Sequence, residues 1–583
     1  MLRVSFLMRH VANLCAPGLV VLSLFFGFVR FHDYPVWTPE VILAAAAILV
    51  FGMPFGLLLS VRAKTFGAGV ITLLLLAWSC ETLISSVPDA LTVWESAKTQ
   101  LVDLAGTIGL YIVVSVATVL VVTVLLILTG RLGRNLGIVI TTVFGVATVS
   151  VLALPTKIVF FGDYYSGKSV EQADLPPIIH LVLDEHMGIE GLPSEIEGAD
   201  ELRDELRAFY VGFGFRVFGR AYSQYANTKL SIATMLRGQP NRYVLTQQDA
   251  QATERSLRRN VWFQQLAERG YRVRVYSSFD VNLCGGDRSD VHFCYAYQSN
   301  SIASLKGSDL PASTLAKAIA ASFLDTLVVY QVWAGSSRRV VRRGAILPSW
   351  LRQEHKYAAP ASLPISRRIL QDLEREPRGS AFFAHLLIPH HTYMYDEHCR
   401  IKQDIETWAN NVSPDTNASL GIINTPESRR RFYASYLEQL RCTRRALQGF
   451  FEELQKSGAY EDAMIIIHGD HGSRIALAAS NRLFGDLLSD TDLVDLYSVL
   501  FAVRGPGFDS GYDTSFRSIQ ALFAETILKR ALTQEPNRVV LNSLVDVGRK
   551  DEIEPWMLVP MPAFDGANLE ASESNDEGSV ANN

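Results

Sequence analysis

Carboxylate and imidazole side chains follow closely after two short apolar runs of this 583-residue chain. They are Asp184 and Glu185 after the run at 178–183, and Asp470 and His471 after the run at 463–467. Such runs are typical of buried strands, and ligand sites of open α/β sheets collect outside the carboxyl ends of strands. Carboxylate and imidazole together favour zinc, manganese or magnesium over a soft metal bound by thiolates. We therefore predict a divalent metal site at these strand ends.

Thr228 lies between the two acidic motifs, directly before a predicted helix at 231–237. Backbone N–H groups and the dipole at a helix N-terminus favour phosphate oxygens. A threonine hydroxyl is a poor nucleophile at neutral pH unless it is activated, and a bound divalent cation stabilises its deprotonated form. We therefore predict Thr228 as a metal-bound nucleophile. Each motif alone has an ordinary interpretation as a turn or loop, and the hypothesis depends on their occurring in one order in one domain.

A third histidine-bearing segment follows another strand-like run, at 381–387. His390 comes just after this run, where it could contact a substrate oxygen or protonate a leaving group. His385 lies within the run, and its position favours an interpretation as a buried core histidine.

Helical and strand patterns alternate through the part of the chain that carries these motifs. Helices are predicted near 199–210, 257–269, 362–376 and 427–457, and strands near 178–183, 215–222, 271–276, 381–387 and 463–467. This alternation predicts a three-layer α/β domain.

The first ~155 residues are predominantly apolar and contain five runs long enough to cross a bilayer, which takes roughly 20 residues. They lie near 12–30, 41–61, 68–87, 107–129 and 137–155. The flanking basic residues all fall on one side if the N-terminus is cytoplasmic, which places the chain after ~156 outside. These basic residues are Arg3, Arg9, Arg62, Lys64, Arg131 and Arg134. We predict a transmembrane domain at 1–155, a connector at 156–176, an extracytoplasmic catalytic domain at 177–560 and a disordered acidic tail at 561–583.

Four of the six cysteines fall in the extracytoplasmic part, an even number that fits two disulfides in an oxidising compartment. Proximity in sequence suggests Cys284–Cys294 and Cys399–Cys442, with four free thiols as the alternative. The net charge of −5 disfavours a nucleic-acid-binding protein, which would carry a concentrated basic face.

The motifs resemble those of the alkaline phosphatase/sulfatase superfamily, over roughly residues 177–510. Val-Leu-Asp-Glu-His-Met-Gly at 182–188 is similar to the first metal motif of sulfatases, with Glu185 where a second aspartate is usual. Ile-His-Gly-Asp-His-Gly at 467–472 is similar to the late Asp-His metal pair, and Pro389-His390 resembles the substrate-side histidine. The resemblance implies a five-helix transmembrane domain followed by a soluble three-layer α/β domain of this type.

The nucleophile position distinguishes branches of the superfamily. Sulfatases carry Cys or Ser in a Cys/Ser-x-Pro-x-Arg segment that is converted to formylglycine, whereas this chain has Thr228, with Leu230 and Ile232 replacing the Pro and Arg. Threonine in this position resembles the membrane transferases of the superfamily, which include lipoteichoic acid synthase and the phosphoethanolamine transferases.

The resemblance implies a transferase that moves a substituted phosphate, phosphoethanolamine or phosphoglycerol, from a phospholipid through a Thr228 ester to an envelope glycan or lipid. The implied ligands of one divalent ion (Zn, Mn, Mg or Ca) are Asp184, Glu185, Thr228, Asp470 and His471. The implied location is the bacterial inner membrane, with the catalytic domain periplasmic. The alternatives are a membrane-tethered phosphatase, phosphodiesterase or sulfatase-like hydrolase, and a protein whose site is vestigial and which acts by binding.

Overall fold

The structure is a computed structural model of the chain, and it describes most of the segments that carry the motifs. The described residues are 2–60, 136–153, 164–165, 174–238, 257, 260–278, 281, 283, 290–327, 357–409, 421–480, 482–530, 537–541 and 557–564.

The helices and strands are numbered in chain order. The helices are α1 (Leu2–Phe31), α2 (Pro39–Ser60), α3 (Leu136–Ala153), α4 (Ala199–Gly212), α5 (Thr228–Arg237), α6 (Val261–Glu268), α7 (Ala312–Thr326), α8 (Ala358–Arg375), α9 (Pro426–Lys456), α10 (Asp490–Tyr497) and α11 (Ile519–Leu522). The strands are β1 (Tyr164–Tyr165), β2 (Ile178–Leu183), β3 (Arg216–Phe218), β4 (Ala221–Tyr222), β5 (Arg272–Ser278), β6 (Phe293–Tyr297), β7 (Ser380–Leu386), β8 (Met464–Gly469), β9 (Phe501–Arg504), β10 (Gly511–Asp513), β11 (Arg517–Ser518), β12 (Arg538–Leu541) and β13 (Met557–Pro560).

The chain divides into two compact units, and the first consists of 1–158 and 305–351. Two helical segments in it, His10–Phe31 and Pro39–Leu57, are long and apolar enough to cross a membrane, and a shorter apolar helix covers Ile138–Ser150. These segments fall on the first, second and fifth predicted spans, whereas the predicted spans at 68–87 and 107–129 lie outside the described residues. Exposed apolar side chains such as Phe51 and Val149 are typical of helices that face lipid, and they favour membrane association.

The first unit also contains α7, which the predicted boundaries assigned to the catalytic domain. The ring of Phe323 on α7 packs against Phe25 and Phe28 of α1, at centroid distances of 5.4 and 5.6 Å. The spacing of apolar residues in α7 predicts a buried helix face but does not indicate which unit that face packs against. The sequence therefore could not assign α7 to the first unit.

The second unit, 159–304 and 352–583, is built on a mixed sheet with the order β1-β6-β5-β7-β2-β8-β9-β3-β10. The five strands β6, β5, β7, β2 and β8 run parallel, and β9 is antiparallel to β8. Alternate residues of β2 face opposite core clusters: Leu181 and Leu183 pack with residues of α4, α8 and α9, and Val182 with residues of α5 and α6. Helices therefore cover both faces of the sheet, which confirms the predicted three-layer α/β domain.

Two predicted elements differ in detail. The strand expected at 215–222 is divided into β3 and β4 by a turn at Gly219, where a Cβ would lie 2.1 Å from the Tyr512 hydroxyl oxygen. The predicted boundary at residue 561 is too early, because Met561 and Phe564 are buried in a core cluster; the rest of the predicted tail lies outside the described residues.

A disulfide joins Cys399 to Cys442, as expected. Cys294 is also disulfide-bonded, and its expected partner, Cys284, lies outside the described residues.

Candidate functional site

The centre of the sheet brings the two acidic motifs together. β2 pairs with both β7 and β8 in parallel, and Leu183 lies opposite Leu386 on one side and Gly469 on the other. Asp184 and Asp470 each follow directly after these positions, so both carboxylates emerge at the same edge of the sheet. Both side chains are buried.

Thr228 reaches this edge from the first turn of α5. Asn227 caps the helix, since its side-chain oxygen accepts a hydrogen bond from the Leu230 N–H at 3.3 Å. The predicted position of Thr228 at a helix N-terminus is therefore confirmed. The Thr228 Oγ1 lies 3.1 Å from Nε2 of His471.

One oxygen of each aspartate is fixed by the protein. Oδ1 of Asp470 accepts hydrogen bonds from the backbone N–H groups of Glu185 (3.2 Å) and His471 (3.0 Å). Oδ2 of Asp184 lies 3.1 Å from Nε2 of His385, which donates to it as an N–H.

The other oxygen of each aspartate points to a common position. Asp184 Oδ1 and Asp470 Oδ2 have no hydrogen-bond partner in the described part of the chain, and each lies 3.4 Å from His471 Nε2. The Nδ1–H of His471 donates to the Gly472 carbonyl at 2.9 Å, so Nε2 carries a lone pair directed at the same place. Two free carboxylate oxygens and an imidazole lone pair, buried together, are the donor set of a divalent cation. The site therefore fits a metal ion.

The charges of the two aspartates are coupled. Burial and the neighbouring charge of Asp184 raise the pKa of Asp470. Burial also acts to raise the pKa of Asp184, but His390, His385 and His471 outweigh it and hold the pKa below its usual range. Two carboxylates packed in this way repel each other, and a bound cation would offset that repulsion.

Glu185 joins a different group from the one predicted. Its backbone adopts a left-handed conformation, with φ of 64°, which turns the carboxylate toward the loop after β7. Oε2 accepts a hydrogen bond from the His391 N–H at 3.0 Å, and Oε1 lies 3.0 Å from His391 Nδ1 and 3.6 Å from His390 Nε2. Glu185 thus shares a second possible metal-binding group with His390 and His391, separate from the group of Asp184, His385 and Asp470.

Burial and these neighbours set the ionisation of the second group. Burial acts to raise the pKa of Glu185, but interactions with the neighbouring His390, His391 and Arg474 side chains lower it to about 2. Burial lowers the pKa of His390 to about 4, with Glu185 acting in the opposite direction. His390 therefore lies as a neutral imidazole beside an ionised carboxylate.

Sequence reasoning missed two residues of this site. His385 was interpreted as a core histidine, but β7 is the neighbour of β2 and His385 contacts Asp184. Arg474, two residues after Gly472, brings Nη2 to 2.5 Å from His471 Nε2. The position of His385, one residue before the end of a buried strand, could have indicated that it lies at the site. For Arg474 the only indication in the sequence was its closeness to the Asp-His pair.

Helix α9 holds the three loops that carry the site, through polar side chains on one face. Tyr433 donates to or accepts from the Ser473 hydroxyl at 2.9 Å, and Tyr436 donates to the Glu185 carbonyl at 2.7 Å. Gln439 donates to the Pro389 and His390 carbonyls at 2.8 and 2.9 Å. Residues spaced by three or four lie on one side of a helix, so a single element sets the relative positions of the loops.

The glycines of the His-Gly-Asp-His-Gly motif allow close backbone contacts. A Cβ at Gly469 would lie 2.2 Å from the His186 carbonyl oxygen, and one at Gly472 would lie 2.2 Å from the Asp495 carbonyl oxygen. Both positions therefore require glycine if Asp470 and His471 are to keep their places.

Residues 214–482 match the family model described as Sulfatase. A segment of 119 residues, 20% of this chain, is 32% identical to the lipoteichoic acid synthase of Staphylococcus saprophyticus, and it spans 18% of that protein's length.

Two solved bacterial proteins align with part of this chain. The phosphonate monoester hydrolase of Agrobacterium radiobacter is 16% identical, with 66% of this chain and 79% of that chain covered at a TM-score of 0.36. The lipoteichoic acid synthase LtaP of Listeria monocytogenes is 12% identical, with 63% and 75% covered at a TM-score of 0.31.

Proposed function

We propose that the chain is a metal-dependent phospho-group transferase of the alkaline phosphatase/sulfatase superfamily, a proposal supported by the match of residues 214–482 to the Sulfatase family model. It would move phosphoethanolamine or phosphoglycerol from a phospholipid to an envelope glycan or lipid. The observation that carries the proposal is the Thr228 hydroxyl, which lies 3.1 Å from His471 Nε2, the same atom from which Asp184 Oδ1 and Asp470 Oδ2 each lie 3.4 Å.

Asp184, Asp470 and His471 would hold one divalent ion, with Thr228 as the fourth ligand. Glu185, which the sequence also predicted as a ligand, is better placed to orient His390 and His391 through its carboxylate. When bound, the ion would supply positive charge that lowers the pKa of the threonine hydroxyl and polarises a phosphoryl oxygen.

The first half of the reaction forms a bond between Thr228 Oγ1 and phosphorus. The bond between phosphorus and the diacylglycerol oxygen breaks, and diacylglycerol leaves with the proton that Thr228 lost. We assign His390 to contact the leaving oxygen, since it lies beside the Glu185 carboxylate at the substrate side of the site.

The second half reverses these roles. A hydroxyl of the acceptor attacks the phosphorus, the bond to Thr228 Oγ1 breaks, and the threonine regains a proton. The ethanolamine or glycerol substituent stays on the phosphorus throughout, because only the bonds from phosphorus to diacylglycerol, to Thr228 and to the acceptor form or break.

A lipid donor accounts for the apolar helices of the first unit. The segments His10–Phe31 and Pro39–Leu57 would keep the site near the membrane in which the donor lies, as part of the predicted five-span domain. The Cys399–Cys442 disulfide supports a catalytic domain in an oxidising compartment outside the cytoplasm. The similarity to a lipoteichoic acid synthase supports a lipid-derived phosphate as the group transferred.

The test is the stoichiometry of diacylglycerol release. Purified full-length protein is mixed with manganese or zinc and vesicles of phosphatidylethanolamine and phosphatidylglycerol, without acceptor. A transferase releases a burst of about one diacylglycerol per chain and then stops, because no acceptor is present to remove the phospho group from Thr228.

Two variants control the interpretation. Thr228→Ala should abolish the burst, whereas Thr234→Ala should keep it, because the Thr234 hydroxyl is bonded to the Leu230 carbonyl of its own helix. Continuous release in the absence of acceptor would instead identify a hydrolase.

A further inference from the structure

Arg474 lies at the site, although the roles assigned above do not use it. Its Nη2 is 2.5 Å from His471 Nε2, and its charge contributes to lowering the pKa values of Glu185 and His390. The guanidinium therefore lies between the group around Thr228 and the group around Glu185.

The loop that carries Arg474 is held by contacts that do not involve its guanidinium. The Arg474 backbone is left-handed, with φ of 58°, a conformation that persists in a non-glycine residue only where the surroundings fix it. The Arg474 N–H donates to the Asp495 carbonyl at 3.2 Å, and the Ser473 hydroxyl donates to the same carbonyl at 3.3 Å. Asp495 is fixed in turn by Arg429, whose Nε lies 2.8 Å from its Oδ2.

The guanidinium is not held by a close ion pair in the described part of the chain. Arg429 forms ion pairs with Asp495 and Glu195, whereas Arg474 forms none within 4.0 Å among the residues that the structure describes. Its Nε is buried and has no hydrogen-bond partner among the same residues. A cation that is held in place by its backbone and faces a reaction centre, with unused N–H groups, is suited to a negatively charged substrate.

We propose that Arg474 binds the non-bridging oxygens of the phosphoryl group that is transferred to Thr228, an assignment that rests on the proposed function. The planar guanidinium offers parallel N–H groups that match two oxygens of a tetrahedral phosphate. His471 Nε2 has a single lone pair, so when a cation takes it the N–H groups of Arg474 become available to the substrate. The ligand class is thus a phosphate ester or inorganic phosphate.

The experiment compares Arg474→Gln and Arg474→Lys with the wild type. Binding of inorganic phosphate to the manganese-loaded full-length protein is measured by calorimetry, and the rate of the diacylglycerol burst is measured in the same preparations. We expect Arg474→Gln to raise the phosphate Kd about tenfold or more and to slow the burst by about 10²–10³. Arg474→Lys keeps the charge but loses the paired N–H groups, so it should restore part of both.

A matched control and a rescue separate binding from structure. Arg400→Gln removes an exposed arginine that pairs with Asp396 at 2.9 Å, and it should change neither quantity. Free guanidinium at millimolar concentration should partly restore the burst rate of Arg474→Ala. Melting temperature and metal content should match the wild type in all Arg474 variants, because the loop is fixed by other contacts.

The outcomes distinguish this assignment from the proposed function. Unchanged phosphate binding and burst rate in Arg474→Gln would overturn the role of Arg474 and leave the transferase intact. Loss of the bound metal together with phosphate binding would also overturn it, since Arg474 would then be structural. Phosphate binding that depends on Arg474 in a wild-type protein without a burst would support the anion site and refute the transferase.

Discussion

Replacing Asp470 by asparagine should have opposite effects on the metal-free and the metal-loaded protein. In the variant the side-chain carbonyl can still accept from the N–H groups of Glu185 and His471, at 3.2 and 3.0 Å in the wild type. The amide NH₂ replaces Oδ2, which has no hydrogen-bond partner in the described part of the chain. It can donate to the neighbouring Asp184 carboxylate, whose Oδ1 also has no hydrogen-bond partner in the described part of the chain. The substitution also removes the repulsion from Asp184.

The size of each effect follows from these contacts. A buried polar atom without a partner costs roughly 1–3 kcal/mol, so the metal-free variant should be more stable than the wild type by up to that amount. A ligand at 100 times its Kd stabilises a protein by about 2.7 kcal/mol, and only the wild type should gain this. Each kcal/mol shifts the melting temperature by at most about 2–4 °C in a domain of about 150 residues or more, and the melting temperatures of the two proteins should change order when metal is added.

Thermal denaturation with EDTA and with excess manganese or zinc provides the assay. The wild type should melt below Asp470→Asn in EDTA and above it in metal. If the variant were less stable by the same amount in both conditions, Asp470 would act only through its hydrogen bonds. If both proteins were stabilised equally by metal, the ion would bind elsewhere. Either result would refute the assigned metal site.

Two further substitutions test the surroundings of the site. Gly472→Ala would place a Cβ 2.2 Å from the Asp495 carbonyl oxygen, so we expect weaker metal binding and a loss of about 1–3 kcal/mol in the free energy of unfolding. Gly449→Ala is the control, because its Cβ would meet nothing within 4 Å, and it should weaken neither metal binding nor the free energy of unfolding. Metal titration and urea unfolding measure these two quantities, and equal effects of the two substitutions would contradict the packing argument. Burial and the neighbouring His468 lower the pKa of His180 well below 6.5. As pH falls below 6.5, this histidine is therefore protonated in the unfolded chain before it is protonated in the folded protein, and the folded protein loses stability. His180→Gln cannot titrate and should flatten the dependence of the unfolding free energy on pH in this window by up to about 1.4 kcal/mol per pH unit; an unchanged slope in urea unfolding would count against a buried neutral imidazole.

The sequence predicted those parts of the site that depend on local pattern. An apolar run followed by acid and imidazole identifies a strand end, and parallel pairing of β2 with β8 then brings Asp184 and Asp470 together. The helix N-terminus at Thr228 follows from the cap at Asn227, which is also a local feature.

The remaining parts depend on contacts between distant segments. The left-handed turn at Glu185 is held by Tyr436, which donates to its carbonyl from α9, and no local pattern predicts that contact. His385 contributes to the site because β7 lies next to β2. The residue pattern of each strand does not predict which strands are neighbours in the sheet. Arg474 faces inward because Asp495 fixes its backbone.

The central claim is that Thr228 carries the transferred group as a covalent ester. Its most direct test is peptide mass spectrometry of the purified protein after incubation with the phospholipid vesicles and metal, without acceptor. The account predicts an added mass on the peptide that contains Thr228, absent from Thr228→Ala, with a size that identifies phosphoethanolamine or phosphoglycerol. Consumption of the lipid by metal-loaded protein with no modified Thr228 peptide at any time point would contradict it.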